Sequence, residues 1–369
     1  LFRSGTFKGS DMENKILKQP SSKAVVVAAY LIIIAIVKYS ASIVTPILLA
    51  LFITIVCAQP IKWLKGKRVP GGMAIFIVLI LVLGILFGFG EVIGRSVIQF
   101  SEDSSVYAHR LNDIMSSLFD TLRGLGMNVS LEKLEQSISP NSIMNASASF
   151  LGALGGLMSN TFLITFIIIF MLLEINSFNI KVTAITNISG GSMSYIKRID
   201  QSIRHYLGLM TIISFITGLL IYISLMLIGV EYAILWALIA FIFNFIPNIG
   251  SILASFPAIL FAMIQLGLGG ALWTMGAYAA INMIIGNVVQ PPIMGKGMGL
   301  STLVVFISLI FWGYVLGTVG MFLSVPLTMV VKNVLEQKES TRWFSIILGT
   351  EKAAKEVMEQ TASKLKTPI

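Results

Sequence analysis

The sequence predicts an all-α polytopic membrane protein. Of its 369 residues, 56% are hydrophobic and only 12% are charged, and the mean hydropathy is +0.89. A soluble domain carries about 25% charged residues, and one soluble core of this length cannot hide so much apolar surface. The composition therefore excludes an ordinary soluble enzyme, a disordered chain and a nucleic-acid-binding protein.

The apolar runs predict six membrane-crossing segments and two interrupted ones, because a spanning helix needs about 20 mostly apolar residues. Six runs have roughly this length: 24–42, 43–61, 71–93, 150–174, 207–229 and 270–290. Two further runs, 232–266 and 301–331, are apolar but interrupted by proline and glycine. Each is too long for one span and too short for two full spans with a loop. We therefore expect two interrupted or re-entrant helical hairpins.

Loop charges predict the orientation. Residues 60–70 carry four basic and no acidic side chains, whereas residues 95–149 carry six acidic and four basic ones. Cytoplasmic loops of membrane proteins collect basic residues, which also explains the net charge of +9. Both termini and residues 174–206 are thus expected in the cytoplasm of a bacterial inner membrane, and residues 95–149 outside. A helical stripe from Tyr107 to Leu122 predicts a packed helix in this outer segment.

These features divide the chain into six parts. Residues 1–11 resemble a vector-derived extension, because Met12 is a plausible start. The others are a three-helix N-terminal membrane segment (12–93), an extracytoplasmic helical segment (94–149), a fourth span with a cytoplasmic amphipathic helix (150–206), a transport core (207–331) and a cytoplasmic tail (332–369).

Side chains for catalysis or metal binding are scarce. The chain has one cysteine, Cys57, within an apolar run, and two histidines, His109 and His205, outside the best apolar runs. A disulfide within the chain, a thiolate cluster, a zinc site and intramembrane protease chemistry are therefore not expected. We expect no enzymatic activity, no cofactor and no resident metal.

The second half of the chain is rich in neutral amides instead. Residues 207–331 hold two charged side chains, Glu231 and Lys296. This argues against a charged cation site, although carbonyls of unwound helices can bind sodium or lithium. The candidate substrate-binding residues are Asn244, Asn248, Asn282, Asn287 and Gln290. Amides both donate and accept, which suits a hydroxyl-rich solute; alternatively, they cap the broken helices.

The helix interruptions are candidate hinges. Free backbone groups at bilayer depth persist only where protein or a watery cavity satisfies them, and paired interrupted helices are typical of transport sites. The residues at these breaks are Pro247, Gly250, Pro257, Pro291, Gly317, Gly320 and Pro326.

Three motifs resemble the autoinducer-2 exporter family of bacterial membrane proteins. They are Ile246-Pro247-Asn248-Ile249-Gly250, the stretch from Asn287 through Pro291 to Lys296, and Gly317 to Pro326. Residues 244–331 match by motif, and residues 24–206 match in hydropathy plan. The resemblance implies about eight crossing segments, a homo-oligomer, namely a pentamer, and export of a furanone-type polyol. Many relatives carry a glutamate where this chain has Ile285, and some are linked to sodium or lithium exchange for protons.

Three functions follow from these observations. The first is a secondary exporter of a small neutral solute, autoinducer-2 by resemblance, that works by alternating access within the lipid bilayer. The second is a sodium (lithium)/proton antiporter, which the missing carboxylate at Ile285 disfavours. The third is an oligomeric channel gated by apolar side chains.

Overall fold

The computed structural model describes residues 23–124, 148–149, 152, 161–189, 193–247, 249–290, 299–337, 339–351, 353–355 and 357–359. Every regular element assigned within these ranges is helical, which confirms the all-α prediction. The principal helices are α1 (Lys23–Tyr39), α2 (Ala41–Gly66), α3 (Gly71–Glu102), α4 (Ser104–Gly124), α5 (Thr161–Ser189), α6 (Met193–Ile228), α7 (Ala233–Phe243), α8 (Gly250–Ile284, continued by a π-helical turn, Ile285–Val289), α9 (Thr302–Phe322), α10 (Ser324–Glu336) and α11 (Glu339–Leu348).

Five segments in the described part of the chain are long and apolar enough to cross a membrane. They are α2, α3, residues Asp200–Ile228 of α6, α8 with its π-helical turn, and α9. Their outward faces expose large apolar side chains, such as Phe76, Leu81 and Phe87 on α3. Apolar faces of this extent are unfavourable in water and favourable in hydrocarbon. The prediction of a polytopic membrane protein is confirmed.

The N-terminal helices and α5 share a buried apolar cluster. Helix α2 packs on both α3 and α5, and Cys57, Val78 and Ile168 are buried between them. Helix α3 continues to Glu102, beyond the predicted span of 71–93. Tyr107 and Leu111 of α4 are also buried, so the start of the predicted stripe packs against its neighbours.

The chain reverses direction within residues 229–265, here called segment A. It runs along α7, turns at residues 244–247 and 249, and returns along the first half of α8. At the open end of segment A, Gln265 Nε2 donates to the carbonyl of Gly229 at 3.1 Å, and the backbone N–H of Glu231 donates to Gln265 Oε1 at 2.8 Å. The segment therefore begins and ends at the same place.

Residues 299–332, here called segment B, reverse in a similar way. Helix α9 is interrupted at Gly317, whose φ of 69° lies outside the helical region, and the chain returns along α10. At the open end, Lys332 Nζ donates to the carbonyl of Gly299 at 2.6 Å. Segment B thus also begins and ends at one place.

The break predicted at Pro257 is wrong, because α8 continues through this residue and is interrupted at Gly267, with φ 74°. The fixed φ of proline is compatible with a helix, and its missing N–H removes a single backbone hydrogen bond. The positive φ of Gly267 is not compatible, because a right-handed helix requires a negative φ. In segment B, α9 ends and α10 begins at Leu323. Pro326 lies three residues later, in the first turn of α10, where a missing N–H leaves no bond unmade.

Helix α6 relates the two segments. In the middle of α6, Leu207 belongs to a buried cluster that includes Leu300 of segment B and also Phe245 and Leu323, at the tips of the two segments. Near its end, Leu225 belongs to the same buried cluster as Val230, at the open end of segment A. Leu207 and Leu225 are about 27 Å apart along the helix axis. Segment A therefore opens at the C-terminal end of α6, and the tips of both segments lie in the cluster around the middle of this helix.

Candidate functional site

The two segments meet at an aromatic contact. The ring of Phe245, in the turn of segment A, lies 4.7 Å from the ring of Phe322 in segment B. Phe52 of α2 lies 5.6 Å from Phe245 and 4.9 Å from Phe322, between ring centroids. Any movement of one segment against the other must rearrange this three-ring contact, because all three belong to one packed cluster.

The turn of segment A is tight because Gly250 lacks a side chain. Ile246 N–H donates to the carbonyl of Phe243 at 2.8 Å, and Gly250 N–H donates to the carbonyl of Ile246 at 3.1 Å. A Cβ added to Gly250 would lie 2.7 Å from the carbonyl carbon of Phe243. Pro247, half-buried at the tip, supplies a rigid φ to the same turn. Two of the predicted break residues are thus adjacent in space.

The interruptions at Gly267 and Gly317 have the same local design. Each follows a leucine and precedes a second glycine by three residues: Leu266-Gly267-x-x-Gly270 and Leu316-Gly317-x-x-Gly320. Their dihedral angles are similar, with φ 74° and ψ −166° at the first and φ 69° and ψ −151° at the second. This region is essentially restricted to glycine. The Leu-Gly-x-x-Gly pattern does not identify Gly267 by itself, because residues 151–155 also carry it.

The second glycine of each pattern permits the reversal that follows. A Cβ on Gly320 would lie 2.7 Å from the carbonyl carbon of Trp312 and 2.7 Å from Cβ of Leu316. A Cβ on Gly270 would lie 3.1 Å from the carbonyl oxygen of Ala262. The chain after each interruption therefore packs directly on the backbone before it.

The predicted amides occupy two parts of the fold. Asn244 Nδ2 donates to the hydroxyl of Ser214 at 3.0 Å, and Ser214 of α6 is fully buried. Asn282, Asn287 and Gln290 follow one another near the end of α8, where Asn287 is exposed and the other two are half-buried. Asn248 and Pro291 lie outside the described residues.

Glu231, the acidic residue of the 207–331 region, does not lie in the protein interior. It is exposed at the open end of segment A, where its carboxylate accepts a hydrogen bond from Tyr107 OH at 2.5 Å. Burial and this carboxylate raise the pKa of Tyr107, and burial raises the pKa of Tyr232 beside it. Both phenols therefore stay neutral, and Tyr107 donates to Glu231 at physiological pH.

Helix α4 closes over this open end, and we call the contact the clamp (Tyr107, Arg110, Glu231, Gln265 and Phe261). Arg110 Nη1 donates to the carbonyl of Gln265 at 3.2 Å. The ring of Phe261 lies 5.2 Å from that of Tyr107, measured between centroids. The clamp fixes both ends of segment A against α4. The side chain of Gln265 thus bonds the backbone groups of Gly229 and Glu231.

Comparison with known proteins identifies the family. A profile of AI-2E family transporters matches residues 26–340. The chain is 39% identical over 329 residues to a putative transport protein of Haemophilus influenzae, covering 88% of this chain and 94% of the relative. It is 36% identical over 339 residues to the AI-2 transport protein TqsA of Escherichia coli K12, covering 92% and 98%. It is 31% identical over 322 residues to the putative transport protein YhhT of the same organism, covering 87% and 92%. The chain belongs to the AI-2E family of transporters and is not an enzyme.

Proposed function

We propose that the protein is a secondary transporter that exports a small neutral polyol-like signal, autoinducer-2, across the bacterial inner membrane. The geometry of segments A and B carries this proposal. Segment A opens at the C-terminal end of α6, and the tips of segments A and B meet at the contact of Phe245 with Phe322. The relative TqsA, named an AI-2 transport protein, matches 92% of this chain and supports the choice of solute.

Segments A and B are re-entrant hairpins in this proposal. Helix α7 has 11 residues and so spans about 16 Å, roughly half of the hydrocarbon core of a bilayer. Segment A then enters from the outside and returns there, and segment B enters from the cytoplasm, as the loop charges predict. Together with the full spans they make about eight crossing segments. By resemblance, the subunits assemble into a homo-oligomer, a pentamer.

The interior between the hairpins suits a neutral solute. Glu231 faces outward in the clamp, so the carboxylate of residues 207–331 is not available to bind a cation inside. Asn244, Asn248, Asn282, Asn287 and Gln290 supply amide donors and acceptors for hydroxyl groups. A neutral polyol also avoids the large desolvation penalty of a charged solute.

Alternating access requires the hairpins to move against the helices around them. The glycine-only backbone at Gly267 and Gly317 places joints between rigid helices, and the tight turn at Pro247 and Gly250 forms the tip of segment A. Rearrangement of the Phe245–Phe322 contact then opens a path first to one side and next to the other.

A partition assay in cells tests the export function. Cells that synthesise autoinducer-2 but lack their own AI-2E proteins are compared with and without this protein, and the signal is measured inside and outside. Expression should raise the external fraction. Asn282→Leu should reduce that effect, and Asn112→Leu, at an exposed position of α4, should not. Equal partition with and without the protein would refute export.

The same protein in everted vesicles separates the other functions. Collapse of a pH gradient on addition of sodium or lithium would favour the antiporter, and unitary currents in planar bilayers would favour the channel. An exporter of a neutral solute should give neither response.

A further inference from the structure

Three buried hydroxyl groups have no hydrogen-bond partner within the described part of the chain. They are Oγ1 of Thr274, the phenol OH of Tyr278 and Oγ of Ser324. Thr274 and Ser324 are 0% exposed and Tyr278 is 2% exposed. Because a buried hydroxyl without a partner is destabilising, each one requires an explanation such as a water molecule or a ligand.

Several other buried hydroxyls donate to a backbone carbonyl of their own helix. Thr217 Oγ1 donates to the carbonyl of Ile213 at 2.9 Å, Thr54 Oγ1 to that of Ala50 at 2.7 Å, and Ser308 Oγ to that of Val305 at 2.8 Å. Thr274 does not make the corresponding bond to residue 270. Its hydroxyl is therefore free for a group that comes from outside the helix.

The three hydroxyls lie in or beside the two buried clusters that line segments A and B. Thr274 and Tyr278 are one turn apart on the buried face of α8, about 6 Å along its axis, and Asn282 follows one turn later. Tyr278 belongs to the cluster of segment A, and Ile285, further along the same helix, belongs to the cluster shared with segment B. Ser324 stands between Leu323 and Val325 of this second cluster.

We propose that Thr274, Tyr278 and Ser324 are hydrogen-bonding stations for the hydroxyl groups of the transported solute. The inference rests on the proposed export function and adds three hydrogen-bonding residues to the predicted amides, of which Asn282 lies one turn beyond Tyr278 on the same helix. Each station both donates and accepts, and residues 207–331 place no acidic group there, because Glu231 is in the clamp. The ligand class is a small neutral molecule that carries several hydroxyls.

Cysteine accessibility tests the stations directly. Cys57 is the single cysteine, so Cys57→Ala gives a cysteine-free background for Thr274→Cys and Ser324→Cys. Both positions are buried in this structure and should react with a small methanethiosulfonate reagent when alternating access opens the interior. Autoinducer-2, glycerol, erythritol or ribitol should slow the reaction by about fivefold, the effect expected of one hydrogen bond. The matched controls, Thr217→Cys and Ser308→Cys, should show no such protection.

Two results would overturn the inference. One is failure of both cysteines to react, which would mean that the stations are closed to solvent. The other is reaction that none of the four probes slows, which would mean that water alone occupies them. If autoinducer-2 moves in the partition assay without protection, only this inference fails. If ribitol protects while autoinducer-2 does not move, the stations stand and the proposed solute is wrong.

Removal of the hydroxyls gives an independent readout. Thr274→Val and Tyr278→Phe should leave the melting temperature unchanged or higher, because no protein hydrogen bond is lost, and should lower transport by about fivefold each. Thr217→Val should lower the melting temperature, because it removes a buried bond, and should leave transport per folded molecule unchanged. Wild-type transport in both station variants, or a fall in their melting temperature equal to that of Thr217→Val, would contradict the assignment.

Discussion

Substitution of Gly320 by alanine tests the reversal in segment B. The added Cβ would lie 2.7 Å from both the carbonyl carbon of Trp312 and Cβ of Leu316, and closer still to the carbonyl oxygen of Trp312. Ordinary contacts of a Cβ begin at 3.4 Å. The obstacle is backbone, so no side-chain rotation relieves it, and the two arms of the turn must separate.

The expected destabilisation is about 3 kcal/mol, the upper part of the range for overpacked sites. Gly84→Ala is the matched control: Gly84 is an exposed glycine inside α3 with no atom within 4 Å of its added Cβ. This control should gain up to about 1 kcal/mol from helix propensity. Gly317→Ala should be destabilised by about 1–3 kcal/mol through its positive φ alone, since no atom lies within 4 Å of its added Cβ.

The assay measures the melting temperature of the detergent-purified variants. The fraction of protein that stays folded after heating is monitored by fluorescence-detected size-exclusion chromatography. At about 2 °C per kcal/mol, Gly320→Ala should melt about 5 °C or more below Gly84→Ala. Equal melting temperatures for these two variants would refute the close approach of the arms, and with it the reversal at Gly317.

Three further predictions concern the clamp and the aromatic contact, and all are checked by melting temperature. Gln265→Leu leaves the carbonyl of Gly229 and the N–H of Glu231 without their partner and should destabilise the protein by about 1–3 kcal/mol. Its control is Gln201→Leu, at an exposed position, and equal stability of the two variants would contradict the closure of segment A. Tyr107→Phe keeps the ring contacts and loses the hydrogen bond to Glu231, so it should destabilise the protein by about 1 kcal/mol. Tyr39→Phe, at a residue 91% exposed, should leave the melting temperature unchanged, and the reverse ranking would contradict the contacts of the clamp. Phe245→Ala should destabilise by about 3–5 kcal/mol, far more than Phe87→Ala, at a residue 71% exposed; similar effects would show that the segment tips are not packed together.

The sequence by itself determined the class of protein and the location of the unusual segments. Runs of apolar residues longer than a bilayer core allow few structures other than spanning helices, so the helical membrane class follows from composition and length. The turn around Pro247 and Gly250 was also predictable, because proline and glycine restrict or free the backbone locally. The motifs of residues 244–331 sufficed to indicate the transporter family.

Only the tertiary structure decided which interruptions break a helix and what each polar group contacts. Pro257 looked like a break and is not one, whereas Gly267, which looked unremarkable, is. The difference arises because the backbone conformation at a glycine is chosen by the packing of the flanking helices and not by the glycine itself. Likewise, nothing in the local sequence distinguishes Gln265, which closes segment A, from an amide that faces a solute. The local sequence also does not show that the hydroxyl of Thr217 bonds its own helix, whereas that of Thr274 does not. These roles depend on partners distant along the chain, and only the folded arrangement brings those partners together.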